Sequence, residues 1–295
     1  MKIIAISTTA VILMLAFWVI TSAKIPEFSS VENYQSSLER GEYVFNASGC
    51  AICHSSPDST QAEKLVLTGG RSFPSPFGTF YAPNISMDKV YGIGTWSEKD
   101  FANSVRHGVS PEGKHYYPSF PYTAYVNMTD QDIADLWAYF KSIPESSKPS
   151  IDHDLPMYVR WRRPIAFWKL LNKREQTTEL LSSDAMVQRG AYLVETLGHC
   201  GECHTSRNFI GGLQYEYWLG GAKNPAGRGM IPNITPTKLA WDTEEIVEYL
   251  ASGFTPDFDV AGGHMADVIE NTSKLTEEDR LAIAEYLKAI PGVQK

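Results

Sequence analysis

Arg40–His54 reads RGEYVFNASGCAICH, and Arg189–His204 reads RGAYLVETLGHCGECH. Each ends in Cys-x-x-Cys-His: Cys50, Cys53 and His54 in the first, Cys200, Cys203 and His204 in the second. The chain of 295 residues has four cysteines, and these are all of them. A Cys-x-x-Cys pair alone reads as a disulfide or a thioredoxin-like redox pair, and two pairs can share a zinc ion. The 147 positions from Cys53 to Cys200 are far more than a zinc site of that kind spans. The histidine after each second cysteine changes the reading to covalent haem c attachment. Two thiols on one helical turn can add across the two porphyrin vinyl groups, and the next residue then turns its imidazole to the iron as proximal ligand. Two covalently bound haem c groups are therefore expected, with His54 and His204 on the irons.

Working outward, the chain repeats around these motifs. PNIS (83–86) parallels PNIT (232–235), Trp96 parallels Trp241, and MTDQDIADLWAYFKSIP parallels LTEEDRLAIAEYLKAIP, with an offset that stays between 145 and 150. Repeats of this kind signal a duplicated structural unit. Thr129 and Thr276 read as helix N-caps, with Asp132 and Asp279 three residues on, near the place a capping box gives to Glu or Gln. Ile133, Leu136, Trp137 and Phe140 then recur at helical spacing, as do Leu281, Ile283, Ala284 and Leu287, and Pro144 and Pro291 end the two helices. Tyr139 and Tyr286 fall within these apolar patterns and read as core aromatics. A helix before the cysteines, a shorter one after each tryptophan and this last helix give an all-α unit.

The formal charge of −8 argues against nucleic acid as a partner. Residues 34–147 carry 8 basic and 12 acidic side chains, and residues 187–295 carry 9 and 15. Between them Met157–Arg174 holds six basic residues and no acid, with several aromatic rings. This segment reads as a solvated, aromatic-packed connection between the halves. Two sharper readings are arginine contacts from Arg160, Arg162 or Arg163 to haem carboxylates, and a membrane-surface role. At the N-terminus, residues 3–20 are uncharged and mostly apolar between Lys2 and Lys24. Eighteen residues is borderline between a spanning anchor and a cleaved signal peptide. Either reading exports the rest of the chain.

The exported portion, from Leu38 to Pro291, resembles the multihaem cytochrome c subunits of bacterial membrane-bound alcohol and aldehyde dehydrogenases and their dihaem relatives. The runs that carry the resemblance include GGRSFPSPFGTFYAPNIS, GKHYYPSFPYTAY, RGAYLVETLGHCGECHTSRN, GGHMADVIEN and LTEEDRLAIAEYLKAIP. Three-haem members have a third cytochrome domain, and this chain has two CxxCH motifs. The resemblance implies two tandem class I cytochrome c-like domains, at 34–147 and 187–295. An N-terminal hydrophobic segment (1–24) precedes them and a connecting segment (148–186) joins them. It implies electron transfer on the periplasmic side of the bacterial inner membrane. The donor is then a catalytic dehydrogenase subunit of flavin, quinoprotein or molybdenum type, and electrons pass to a downstream acceptor, quinone or a terminal oxidase. A haem enzyme or gas-binding protein with an open first haem, peroxidase-like, is the alternative, with His115 and Glu112 the only acid–base candidates nearby.

The sixth iron ligand in such units is usually methionine, placed between the central and final helices. In the second unit this is Met265, 24 residues after Trp241. His264 beside it is a rival expected to face away in an extended loop, and Met230 is expected to pack. In the first unit the same spacing falls on Phe120, where the resembling proteins often carry methionine. Phenylalanine cannot ligate iron. His115, Met128, Met87 and His107 are the substitutes nearby, none at the equivalent position, so the first haem is expected to lack a thioether.

Overall fold

The computed structural model describes residues 2–23, 34–60, 63–173, 182–225, 227 and 229–294. Helix α1 spans Lys2–Ile20, α2 Leu38–Ala47 and α3 Cys50–His54. A hairpin follows, β1 (Ser72–Ser75) against β2 (Gly78–Tyr81), antiparallel with Phe73 opposite Phe80. Then come α4 (Glu98–His107), α5 (Tyr122–Tyr125) and α6 (Asp130–Phe140). The connection carries α7 (Met157–Arg160) and α8 (Ile165–Leu171). The second half has α9 (Ala185–Ala191) running into a π-helix (Tyr192–Leu197), then α10 (Gly201–His204). It continues with a short hairpin of β3 (Ala222–Lys223) and β4 (Met230–Ile231), α11 (Thr243–Ser252), α12 (His264–Thr272) and α13 (Glu277–Ala289). The all-α expectation thus holds for the bulk, with two small antiparallel hairpins added.

The sequence repeat is a structural repeat. α2 crosses α6, and α9 with the π-helix crosses α13. Both crossings hinge on the glycine of the Arg-Gly pair. A Cβ on Gly41 would overlap the Asp135 carbonyl, and one on Gly190 would overlap that of Ala282. Only glycine lets these helix backbones touch. The second copy has one residue more between the arginine and the first cysteine, Arg189 to Cys200 against Arg40 to Cys50. The π-helix absorbs it, since a wider turn takes in an extra residue without shifting the packed face. His199, at φ 39°, then takes the left-handed position that Gly49 holds at φ 60° in the first half.

One buried core runs through both halves, from Val44, Phe45 and Trp137 to Val194, Tyr286 and Leu287. Thr129 and Thr276 cap α6 and α13, each side chain accepting from the backbone N–H of Asp132 and Asp279 at 3.1 Å. The two aspartates do not close capping boxes. Tyr43 of α2 donates to Asp279, and Tyr192 of the π-helix donates to Asp132. The same hydroxyls accept the backbone N–H of Thr276 and Thr129, each at 3.2 Å. Each half thus completes the N-terminus of the other half's last helix, and the exchange is reciprocal. Arg71 to Asp267 at 2.9 Å and Lys64 to Glu270 add ion pairs across the same junction.

Leu155 packs with Phe80 and Tyr117 in a smaller cluster. From α8, Trp168 Nε1 donates to Ile210 O at 2.8 Å, and Lys169 Nζ donates to His107 O and Gly108 O at 2.5 and 2.8 Å. The connection therefore packs on both halves. Its arginines are engaged away from the cysteines. Arg160 Nε bonds Leu155 O at 2.9 Å, Arg162 lies 4.6 Å over the Tyr117 ring, and Arg163 bonds Trp18 O at 3.0 Å and Thr21 Oγ1 at 3.1 Å. The expected membrane anchor is not met as such: among the described residues no helix is long and apolar enough to cross a membrane.

Candidate haem sites

The first site is built on α3, which begins at Cys50 and ends at His54. The second is built on α10, with Cys200 at its N-cap and His204 as its last residue. Each short helix puts two sulfurs and one imidazole within a single turn. All four cysteines are free thiols, so neither pair is a disulfide. Among the described residues no group of three His, Cys, Asp or Glu side chains is placed to hold a metal ion, so the zinc reading has no site there. Burial pushes the thiols of Cys50 and Cys200 up to about 12 and that of Cys53 to about 11. For Cys53, Arg71 works against the burial while Cys203 and Asp267 add to it, and burial dominates.

Both histidines are held in the same way. His54 Nδ1 is 2.9 Å from Pro83 O, and His204 Nδ1 is 2.8 Å from Pro232 O. A carbonyl oxygen only accepts, so Nδ1 carries the proton and Nε2 keeps its lone pair for a metal. Burial lowers both imidazole pKa values and outweighs the proline carbonyls, which raise them, so the neutral, ligating form is favoured. The proline carbonyl is itself fixed by the next residue. Asn84 Nδ2 donates to Ser146 O at 2.7 Å and Lys148 O at 2.8 Å, and Asn233 Nδ2 donates to Val293 O at 2.8 Å. Their side-chain oxygens accept from Ser86 N and Thr235 N, both at 2.9 Å. The repeated PNIS and PNIT strings are therefore histidine-orienting loops. Their spacing after each CxxCH was visible in the sequence, and their role was not.

The region between the central and final helices departs from the sequence reading in detail. Met265 and His264 do not lie in an extended loop; they open α12. Met265 is half-buried and packs against the continuous core, while His264 is exposed, with Nδ1 3.9 Å from Asp267 Oδ2. Met230, expected to pack, is exposed on β4. Phe120 is half-buried, its ring 5.7 Å from Tyr125 and 6.2 Å from Tyr116. Tyr125 donates to Ser48 O at 2.9 Å, two residues before Cys50. Burial, with added repulsion from Cys50, Cys53 and Glu202, pushes its hydroxyl well above the usual range. On its other side Tyr125 stacks on His199 at 5.4 Å, joining the two cysteine turns.

The candidates near Phe120 are placed as follows. Met128 is buried in the core just before the α6 cap, Met87 packs at the core edge, and His107 ends α4. His115 is buried with Nε2 3.2 Å from Thr21 O, and Glu112 accepts from Ser110 Oγ at 2.7 Å. Of the two groups weighed as a distal acid–base pair, His115 thus meets Thr21 just past α1 through Nε2, and Glu112 meets a local turn. Tyr139 and Tyr286 are buried as expected. Tyr286 bonds Glu195 at 2.6 Å and accepts from Trp218 Nε1 at 3.0 Å, and Trp218 lies over Gly201 in the second site.

A family model described as cytochrome c matches residues 38–144. The chain is 51% identical over 255 residues to a diheme cytochrome c-type protein of Cereibacter sphaeroides, covering 86% of each chain. It is 34% identical to the fructose dehydrogenase cytochrome subunit of Gluconobacter japonicus, over 88% of this chain and 54% of that one. It is 35% identical to the cytochrome c subunit of the quinone alcohol dehydrogenase of Gluconobacter oxydans, over 87% and 55%. The chain thus spans about half the length of those dehydrogenase subunits. With two CxxCH turns built alike and likeness to a diheme relative along most of both chains, the protein belongs to the cytochrome c family.

Proposed function

We propose that this protein carries two covalent haem c groups in tandem units, residues 34–147 and 187–295, and relays electrons from a catalytic dehydrogenase subunit to a downstream acceptor. The observation that carries the proposal is the duplicated triad of thiol pair, imidazole and proline carbonyl. The residues present fit the group: the four thiols have no partner in a disulfide, and each imidazole offers Nε2. Bound there, haem c supplies a one-electron iron couple whose potential depends on its axial ligands and surroundings. Cys50, Cys53, Cys200 and Cys203 hold the groups covalently. His54 and His204 serve as proximal ligands, oriented by Pro83 and Pro232. Met265 serves as the sixth ligand of the second unit, and Phe120 leaves the first without a thioether. The stacked Tyr125 and His199 set the contact of the two cysteine turns.

The named relatives support a catalytic dehydrogenase as the partner, and its flavin, quinoprotein or molybdenum type belongs to the proposal alone. The two CxxCH motifs and the apolar run at residues 3–20 support a place on the periplasmic side of the inner membrane. The exposed apolar side chains from Val11 to Ile20 support association of α1 with that membrane.

The test is a redox titration of the purified protein and two variants. Met265→Ala should lower one potential and remove the sulfur-to-iron absorption band. Phe120→Met should raise the other potential and add such a band. An unchanged spectrum in Met265→Ala would defeat the ligand assignment.

A further inference from the structure

The turn after α11 repeats the turn after α4 bond for bond. In the first half Ser110 N donates to Lys114 O at 2.9 Å, Gly113 N to Ser110 O at 2.9 Å, and Tyr116 N to Gly108 O at 2.8 Å. In the second half Thr255 N donates to Asp259 O at 2.9 Å, Phe258 N to Thr255 O at 2.9 Å, and Ala261 N to Gly253 O at 2.8 Å. The bridge Val109–His115 corresponds to the bridge Phe254–Val260. The offset between the two turns is the one that pairs Phe120 with Met265.

The two copies differ in what covers them. Val109 and His115 are 3% and 7% exposed. Over them lies α8, whose Lys169 caps the carbonyls that end α4 and whose Trp168 meets the Tyr122 ring at 6.4 Å, along with the end of α1 at Thr21. Phe254 and Val260 are 55% and 59% exposed, and Phe258 is 94% exposed. The backbone differs too. Gly113 takes φ 73° at no steric cost, whereas Phe258 takes φ 61° with a bulky side chain. A left-handed L-residue is strained, and a ring in water returns nothing within the described chain. Both features become useful only when something else contacts the ring.

We infer that Phe254, Phe258 and Val260 form a docking face for a segment of a partner protein. The segment does for the second half what α8 does for the first. It is an amphipathic helix offering an aromatic ring and, next to it, a lysine or arginine aimed at the carbonyl end of α11. Charge supports this occupant: Asp257 and Asp259 flank the ring, and a helix C-terminus attracts cations. A second copy of this chain is not that occupant, because its own α8 is already seated on its first half. The face lies just before Met265. That the segment belongs to an electron donor or acceptor rests on the function proposed above, while the face itself does not.

The probe is a labelled synthetic peptide with the sequence of residues 161–173, titrated into the full-length haem-loaded protein and followed by fluorescence anisotropy. The peptide should bind, and Phe258→Gly should weaken it at least tenfold without lowering the unfolding midpoint, since glycine accepts this backbone. Phe258→Asn, which tolerates the same conformation, should do likewise, and a peptide carrying glutamate in place of Lys169 should bind more weakly. Equal binding by the Phe258 variants, or early unfolding of both, overturns the inference. So does a native dimer that Phe258→Gly converts to monomer, which would make a second copy the occupant. Each of these outcomes is independent of haem count and ligation.

Discussion

Replacing Gly190 with alanine tests whether the glycine crossings set the helix packing. An added Cβ would overlap the Ala282 carbonyl oxygen and lie 2.7 Å from Tyr286 Cβ. Carbon atoms in contact sit about 3.5–4.0 Å apart, so α9 and α13 would have to separate by roughly 0.8 Å or more. The obstructing atoms are backbone and Cβ, which cannot rotate aside. Overpacking of this kind costs about 1–3 kcal/mol. The better helix propensity of alanine offsets about 1 kcal/mol of it. Overlap with backbone atoms puts the cost at the upper end of that range, so the expected net loss is about 2 kcal/mol. The displaced helix carries Tyr286, which bonds Trp218 over Gly201, so the second site should loosen as well. The assay is denaturant unfolding of the haem-loaded protein, read by far-UV circular dichroism and by haem absorbance. Gly262→Ala is the control, because no atom lies within 4 Å of its added Cβ. The reasoning is refuted if Gly190→Ala unfolds at the same midpoint as Gly262→Ala, or later.

Two further outcomes follow from the reciprocal junction. Tyr43→Phe and Tyr192→Phe each remove a bond to a carboxylate and should each cost about 1–2 kcal/mol, with near-additive losses in the double variant; unfolding titrations of the three proteins check this, and two neutral single variants would contradict it. Asp279 is buried, which raises its pKa, but the Arg189 and Tyr43 bonds outweigh this and hold it below the usual carboxylate range. A depressed folded pKa contributes stability that is present above the unfolded value and lost as pH falls through the folded one. Stability should therefore decline on acidification below the ordinary carboxylate range, and Asp279→Asn should flatten that part of the profile, measured as midpoint against pH.

Much of the site was legible because it is local. The CxxCH turns, the caps at Thr129 and Thr276, and the core tyrosines each rest on residues a few positions apart. What escaped the sequence depends on contacts between distant segments. Asp132 and Asp279 looked like cap residues and instead receive tyrosines from the opposite half. The extra residue before Cys200 appeared only as a drift in the repeat offset, and the π-helix shows where it goes. Met265 and His264 fall by sequence in the loop between the central and final helices, yet they open α12, whose N-cap is Gly263. Arg160, Arg162 and Arg163 were free to point anywhere on paper, and Leu155 O, the Tyr117 ring and Trp18 O take them. The role of PNIS and PNIT required seeing a proline carbonyl meet an imidazole 29 and 28 residues earlier.

The most direct measurement is the mass of the denatured protein after expression with cytochrome c maturation. Two covalent haem additions are predicted for the native chain. One addition is predicted when Cys50 and Cys53 are both changed to serine, and one when Cys200 and Cys203 are. A native chain carrying one haem or none would contradict the account.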